Sequence, residues 1–371
     1  MCFQEKYEMD LIYYYSSKMS RGFSVSLIGT LRCLLKRRGE LPFDRIKLFT
    51  SPKDLEEAKK QFPDVEIISF KDVSNISRDC LIHIPLGPLI YPNSKFLLHL
   101  FAVFKRRKLI LHDHGDLRTE MRIKWKYMHR LNISYIPSYI FYPYLLKSAD
   151  KLFVPSYRIS KLMRSKYGVK NDVVVPCGLD DFWFTEGDKM ELEGEPTIFY
   201  HGRLSPEKGV DLLIKGFAKA TKEYPKARLY IGGTGPCSKY LKNLCRKFGI
   251  AEKVIFLGWV KPKPYLSSVD AAIYPSIHDS FPLTFLEAFS SVNGPVYYSS
   301  LAGTNDAVIR AGYNFNVFEP NVENITKIIK DIIEGNYDKR ISKKQKEFAR
   351  RYTHNNIADL YIKIYDSMIQ T

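Results

Sequence analysis

The chain has 371 residues, 45% of them apolar, and 57 Lys and Arg against 40 Asp and Glu for a net charge of +17. That length exceeds what one hydrophobic core usually spans, so two domains are expected, and no run approaches the roughly 20 apolar residues that cross a bilayer. About +14 of the charge falls in residues 1–178, in clusters at 36–38, 105–108 and 122–130; such a face suits nucleic acid, anionic lipid or a phosphorylated acceptor as well as plain solvent.

Residues 1–10 are polar and mixed in charge, unlike a secretory signal. The segment 11–15, Leu-Ile-Tyr-Tyr-Tyr, predicts a buried strand, and 16–24 a Ser/Gly turn containing Gly22. An amphipathic helix is expected over 25–36 with Gly39 as its stop, then a strand at 46–50 and a helix at 52–61. Further strands are expected at 65–70, 80–84 and 108–112, the last running into His112-Asp113-His114-Gly115-Asp116. A strand at 151–155, a helix to 166 and a strand at 173–176 continue the rhythm, which implies parallel βαβ units.

The acidic stretch 186–195 reads as a linker. Beyond it the alternation resumes: strands at 197–201, 227–232, 254–257, 271–274 and 296–299, helices at 210–224, 237–248 and 282–291. Two doubly wound domains in series suggest a ligand at the carboxyl ends of the strands, in a cleft between them. No repeat and no low-complexity segment appears, and the six cysteines (Cys2, Cys33, Cys80, Cys177, Cys237, Cys245) form no C-x-x-C pair. That argues against a zinc site or a disulfide framework and fits a cytoplasmic protein.

The chemistry concentrates in the second half. The loop His201-Gly-Arg-Leu-Ser-Pro-Glu-Lys-Gly209 sets Arg203 and Lys208 beside a helix N-terminus, a combination suited to a diphosphate. A solvated βα loop would carry the same residues. Gly233-Thr-Gly-Pro236 is a second glycine-rich loop, and Phe256-Leu-Gly258 ends a strand that can offer backbone groups to a base. Asp279 precedes Phe281, a helix with Pro282 expected at its first position, Leu283, and Glu287 two turns on. Asp279 therefore reads either as a ligand-binding acid or as the helix N-cap.

These four elements, in this order and spacing, resemble retaining GT-B glycosyltransferases of family GT4, whose signatures are G-R-L-x-x-x-K-G, G-x-G-P, F-x-G and E-x7-E. The resemblance is strong from about residue 196 to 310 and general in the N-terminal half. It implies a GT-B fold: an N-terminal acceptor-side Rossmann-like domain (1–180), a C-terminal nucleotide-sugar domain (181–351) facing it, and a closing helix (352–371) that returns to the first. It implies that Arg203 and Lys208 hold the diphosphate, that Glu287 binds the donor ribose, and that Asp279 and the amides near Phe281 and Leu283 meet the donor sugar and distal phosphate. Gly22, Gly202, Gly233 and Gly258 would line the donor. His114, with His112 as the competing assignment, would lie near the reacting sugar. Asp279 replaces the family's glutamate, 302–306 departs from its Gly-Gly-x-x-Glu, 312–315 from its Gly-x-x-Gly, and the first loop has a single glycine.

The expected reaction is hexosyl transfer from a UDP- or GDP-sugar to a glycan or lipid-linked acceptor by front-face attack. The N-terminal clusters, interleaved with aromatic residues at 98–107 and 135–142, suggest peripheral contact with an anionic membrane. No D-x-D motif is present, so protein cations are expected to serve without metal or cofactor. Three other readings stand beside this one. A nucleic-acid module is not supported by any RRM, KH or zinc-finger pattern. A sugar-nucleotide epimerase shares the architecture, and a donor-binding partner subunit would bind without turnover.

Overall fold

The segment Leu11-Ile-Tyr-Tyr-Tyr15 forms an inner strand of a seven-stranded sheet in a computed structural model that describes residues 9–16, 23–85, 93–128 and 136–370. The first run is β1 (Asp10–Tyr15), α1 (Phe23–Lys36), β2 (Arg45–Thr50), α2 (Leu55–Gln61), β3 (Glu66–Ile68), β4 (Cys80–Pro85), α3 (Ser94–Phe104), β5 (Lys108–His112), α4 (Leu117–Met128), α5 (Ile136–Lys147), β6 (Lys151–Val154), α6 (Tyr157–Tyr167) and β7 (Asp172–Val174). The strands pair in parallel in the order β3-β2-β1-β4-β5-β6-β7. Successive side chains of a strand point to opposite faces. Ile12 and Tyr14 accordingly pack with Phe49, Ile82 and Leu98 on one face, and Tyr13 and Tyr15 with Leu31, Leu48 and Phe62 on the other. Burial on both faces explains why β1 reads as an unbroken apolar run.

The second run is β8 (Thr197–His201), α7 (Val210–Ala220), β9 (Arg228–Gly232), α8 (Ser238–Lys247), β10 (Val254–Gly258), α9 (Pro262–Leu266), β11 (Ala271–Tyr274), α10 (Leu283–Ser291), β12 (Val296–Ser299), α11 (Thr304–Arg310), β13 (Val317–Phe318), α12 (Val322–Ile333) and α13 (Ile341–Ala349). Its six strands pair in parallel in the order β10-β9-β8-β11-β12-β13. Each sheet thus reverses its winding once, between β1 and β4 and between β8 and β11, as a doubly wound α/β sheet does.

Contacts divide the chain into one unit of Met1–Gly178 with His354–Thr371 and another of Leu179–Thr353. The last helix, α14 (His354–Ile369), is a structural part of the first unit. Tyr361 and Tyr365 are fully buried there, bonded to His112 Nδ1 at 3.0 Å and His83 Nδ1 at 2.7 Å. Arg37 pairs with Asp359 at 2.7 Å, and Lys108 Nζ donates to the Met368 carbonyl at 2.5 Å, a cation at a helix C-terminus.

Several elements depart from the expectations. The helix foreseen at 52–61 begins as a 3-10 turn, Pro52–Asp54. The strand foreseen at 65–70 stops at Ile68, because the Ser69 amide and hydroxyl both bond Asp72 and open a 3-10 turn. The helix foreseen to 224 ends at Ala220, where the Thr221 hydroxyl donates to the Phe217 carbonyl at 2.8 Å. Pro282 stands one residue before α10 rather than inside it, in extended conformation. The reading assigned no element to 94–104, 117–128 or 136–147, which are helices α3, α4 and α5.

Candidate functional site

In the C-terminal unit the expected residues gather where β8 and β11 part, the place where doubly wound sheets bind ligands. His201 is the last residue of β8 and is 6% exposed. The loop that follows lies flat on its neighbours. Gly202 N donates to Gly232 O at 3.0 Å, Leu204 N to Thr234 O at 2.9 Å, and Gly233 N to Gly258 O at 2.5 Å. A Cβ on Gly233, at φ +131°, would lie 1.9 Å from Gly202 O. The glycine there lets two loops touch. At the far end Gly209 turns at φ +63°, and a Cβ on it would meet the Pro275 carbonyl at 2.2 Å. This contact clamps the first loop to the segment between β11 and α10.

The two cations of that loop are each held by a carboxylate. Lys208 Nζ donates to Asp279 Oδ2, and both side chains are largely buried. Arg203 donates to Glu207 Oε1 at 2.8 Å, with its guanidinium half exposed. Burial alone would raise the Glu207 carboxyl, but the Ser205 hydroxyl at 2.6 Å and the Arg203 charge outweigh it and hold the group below its ordinary value. Glu207 is therefore an anion that aims Arg203, a role the sequence reading did not assign. Its signal was its place in the loop, four residues after Arg203 and one before Lys208.

Asp279 does not cap α10. That position belongs to Pro282, and no side chain bonds the first turn there. Asp279 instead sits in a one-residue bridge to Ala302, its carbonyl accepting from Gly303 N at 3.0 Å, with its carboxylate turned to Lys208. Leu283 opens α10, so its amide lies in the first turn, where an anion is favoured. The Phe281 ring is buried against Tyr352. Glu287 lies on α10, 18% exposed, and receives His201 Nε2 at 2.7 Å. The Tyr274 hydroxyl meets the other nitrogen, Nδ1, at 2.7 Å.

In the N-terminal unit, His112 is a core residue bonded to Tyr361, and burial lowers its pKa to about 3. His114, two residues on, is half-buried; burial first, then His112 and Lys95, holds it well below the ordinary imidazole value. Burial raises Asp113 between them to about 7, although the Tyr142 hydroxyl donates to it. Gly22 lies outside the described residues. Among the described residues no group of three or more His, Cys, Asp or Glu is placed to hold a metal ion, and no helix is long and apolar enough to cross a membrane.

Comparison with known proteins bears on the fold and on the C-terminal half of the chain. Over 98% of the chain the fold matches sucrose-phosphate synthase of Thermosynechococcus elongatus, covering all of that chain (TM-score 0.72, 15% identity). Over 97% it matches all of the Anabaena protein HepE, solved in complex with UDP (TM-score 0.71, 17% identity). The fold is thus the GT-B fold of two Rossmann-like domains. Residues 182–351 match the family model described as glycosyl transferases group 1. That match takes in nearly all of the C-terminal unit and the site it carries, and it shows what this half of the chain is similar to.

Among curated relatives, the alpha-monoglucosyldiacylglycerol synthase of Streptococcus pneumoniae is 26% identical over 71% of this chain and 65% of its own length. An uncharacterized glycosyltransferase of Methanocaldococcus jannaschii is 28% identical over 47% of this chain and 45% of its own. The chain therefore spans less than two thirds of the length of either.

Proposed function

We propose that the protein is a retaining hexosyltransferase that takes its sugar from a UDP- or GDP-sugar and passes it to a lipid-linked or glycan acceptor without a metal ion. The observation that carries the reading is the site at the end of β8. Two carboxylate-aimed cations, Arg203 and Lys208, stand in the loop after β8, with Asp279 four residues ahead of α10 and Glu287 in its second turn. In this reading the cations receive the diphosphate and stabilise the charge that develops as it departs. Glu287 accepts the ribose hydroxyls, and Asp279 accepts from the donor sugar while steering Lys208. The leaving phosphate oxygen takes the acceptor proton as the new glycosidic bond forms on the same face. His114 serves the reacting sugar.

A UDP donor has support from the HepE structures, one solved with UDP and another with UDP-glucose. A lipid acceptor has support from the diacylglycerol named for the pneumococcal relative and from an exposed apolar stripe on α5. Along it Ile136, Ile140, Phe141 and Tyr144 are all more than 40% exposed, beside exposed Trp125, Arg122 and Lys126 of the contacting α4. Apolar side chains among cations are what an anionic bilayer surface attracts.

A thermal-shift panel of UDP-, GDP- and ADP-sugars tests the donor. Anomeric analysis of the product formed with lipid extract tests transfer and retention. Stabilisation by none of the nucleotides overturns the reading. Conversion of the donor sugar without any acceptor would make the protein an epimerase, and binding without turnover a partner subunit.

A further inference from the structure

We infer that His201 and Tyr274 are positioning residues that lock the Glu287 carboxylate as an acceptor for the donor ribose and thereby set the preference for ribonucleotide over deoxyribonucleotide donors. The inference rests on the reading of Glu287 as the ribose acid.

The three side chains come from three elements: His201 from the end of β8, Tyr274 from the end of β11, Glu287 from the second turn of α10. They form one line. Tyr274 OH lies 2.7 Å from His201 Nδ1, and His201 Nε2 lies 2.7 Å from Glu287 Oε2. The imidazole ring is clamped face to face on Phe199, two residues back on the same strand, with centroids 5.6 Å apart and planes at 15°.

The two contacts fix the tautomer of the neutral ring. A carboxylate can only accept, so Nε2 must carry the proton toward Glu287, and Nδ1 must then accept from the tyrosine hydroxyl. Tyr274 is suited to donate, since burial and then the Glu287 charge hold it in its protonated form. One carboxylate oxygen is thereby occupied. The other, Oε1, receives no hydrogen bond from any described residue, and the Glu287 side chain is 18% exposed. That leaves one anionic oxygen, held in fixed orientation, to accept from a sugar diol. Nothing in the strand pattern requires histidine here. Its neighbours Ile198, Phe199 and Tyr200 fill the same sheet with apolar or aromatic bulk.

The test is calorimetric binding of UDP and GDP, each beside its 2′-deoxy and 3′-deoxy forms, to the full-length protein. Wild type is expected to prefer the ribonucleotide by about tenfold, the scale of one charge-assisted hydrogen bond. His201→Val should bring the ratio close to one while affinity for the deoxynucleotide stays within about twofold. Tyr274→Phe, which keeps the ring and removes only the hydroxyl, should give an intermediate ratio. His201→Gln, whose amide N–H can stand in for Nε2–H, should retain most of the preference.

A structural pin would act differently. If His201→Val weakens ribo- and deoxynucleotide by the same factor and keeps the ratio, the lock is overturned and the nucleotide-sugar reading stands. If wild type binds none of the nucleotides, that reading falls and the inference with it. Should His201→Val fail to fold, Tyr274→Phe decides by the same ratio.

Discussion

At the level of single residues, the two ion pairs at the head of α7 separate charge from packing. In the proposed mechanism Arg203→Ala and Lys208→Ala each remove a cation aimed at developing negative charge, and each should lower turnover by about 100-fold. Their melting temperatures should move little, since both side chains belong to a loop and not to the core. Near-normal turnover in both would remove the diphosphate assignment. Asp279→Asn sharpens the question, because the cap explanation has gone: Pro282 holds that position. Asparagine keeps the shape and loses the charge that holds Lys208, so transfer should fall while stability barely changes. Unchanged turnover and donor affinity would show that the pair is ornamental.

Arg203, Lys208, Asp279 and Glu287 were readable as candidates, because they occupy motif positions. Glu207, His201 and Tyr274 were not. His201 and Glu287 are 86 positions apart, and no local pattern announces that a histidine ending an apolar strand meets an acid on a later helix.

At the level of elements, α5 is the instructive case. Its sequence is apolar on all sides and holds Pro143 inside the helix, so neither a helical period nor a clean breaker signal could be read from it. Only the structure divides its faces, with Tyr142, Leu145 and Leu146 buried and the stripe Ile136, Ile140, Phe141 and Tyr144 turned to solvent. The strands, by contrast, were legible almost throughout, since burial on both faces gives short unbroken apolar runs. Co-sedimentation with vesicles containing phosphatidylglycerol should show binding at low salt that weakens as salt rises. Ile140→Ser with Phe141→Ser should abolish most of it without lowering the melting temperature, because both residues are already exposed. No binding at low salt refutes the membrane surface.

At the level of the whole molecule, the histidines of the first domain predict acid sensitivity. Burial lowers His99 to about 4 and His112 to about 3, and holds His83 and His114 well below the ordinary imidazole value. In the unfolded chain each titrates near 6.5. Below that pH the unfolded chain takes up protons that the folded domain refuses, so stability falls as pH drops from about 6.5 toward the folded values. Asp113 works the other way. Its carboxyl, raised to about 7, is protonated in the fold before it is in the unfolded chain, and so contributes stability as pH falls from about 7 to about 4. Four losses against one gain leave a net destabilisation as pH falls from about 7.5 to about 5.5. Thermal melts across that range should show the N-terminal transition moving down. A melting temperature that is flat or rises on acidification contradicts the burial of these rings. At the same scale, transfer should survive saturating EDTA; complete loss restored by Mn²⁺ or Mg²⁺ would contradict a mechanism run by Arg203 and Lys208.

The return of α14 to the first unit has a consequence for biosynthesis. The N-terminal sheet emerges first from the ribosome, yet Tyr361 and Tyr365, which fill its core and bond His112 and His83, are made after the entire second unit. Until then the nascent chain carries an open slot lined by apolar strands, at the place where the two tyrosines later meet His112 and His83. Leu179–Thr353, in contrast, is continuous and can close on itself during translation. The domain made first is therefore finished last. Early termination before residue 354 should leave a sound C-terminal domain attached to an N-terminal one that chaperones and proteases recognise.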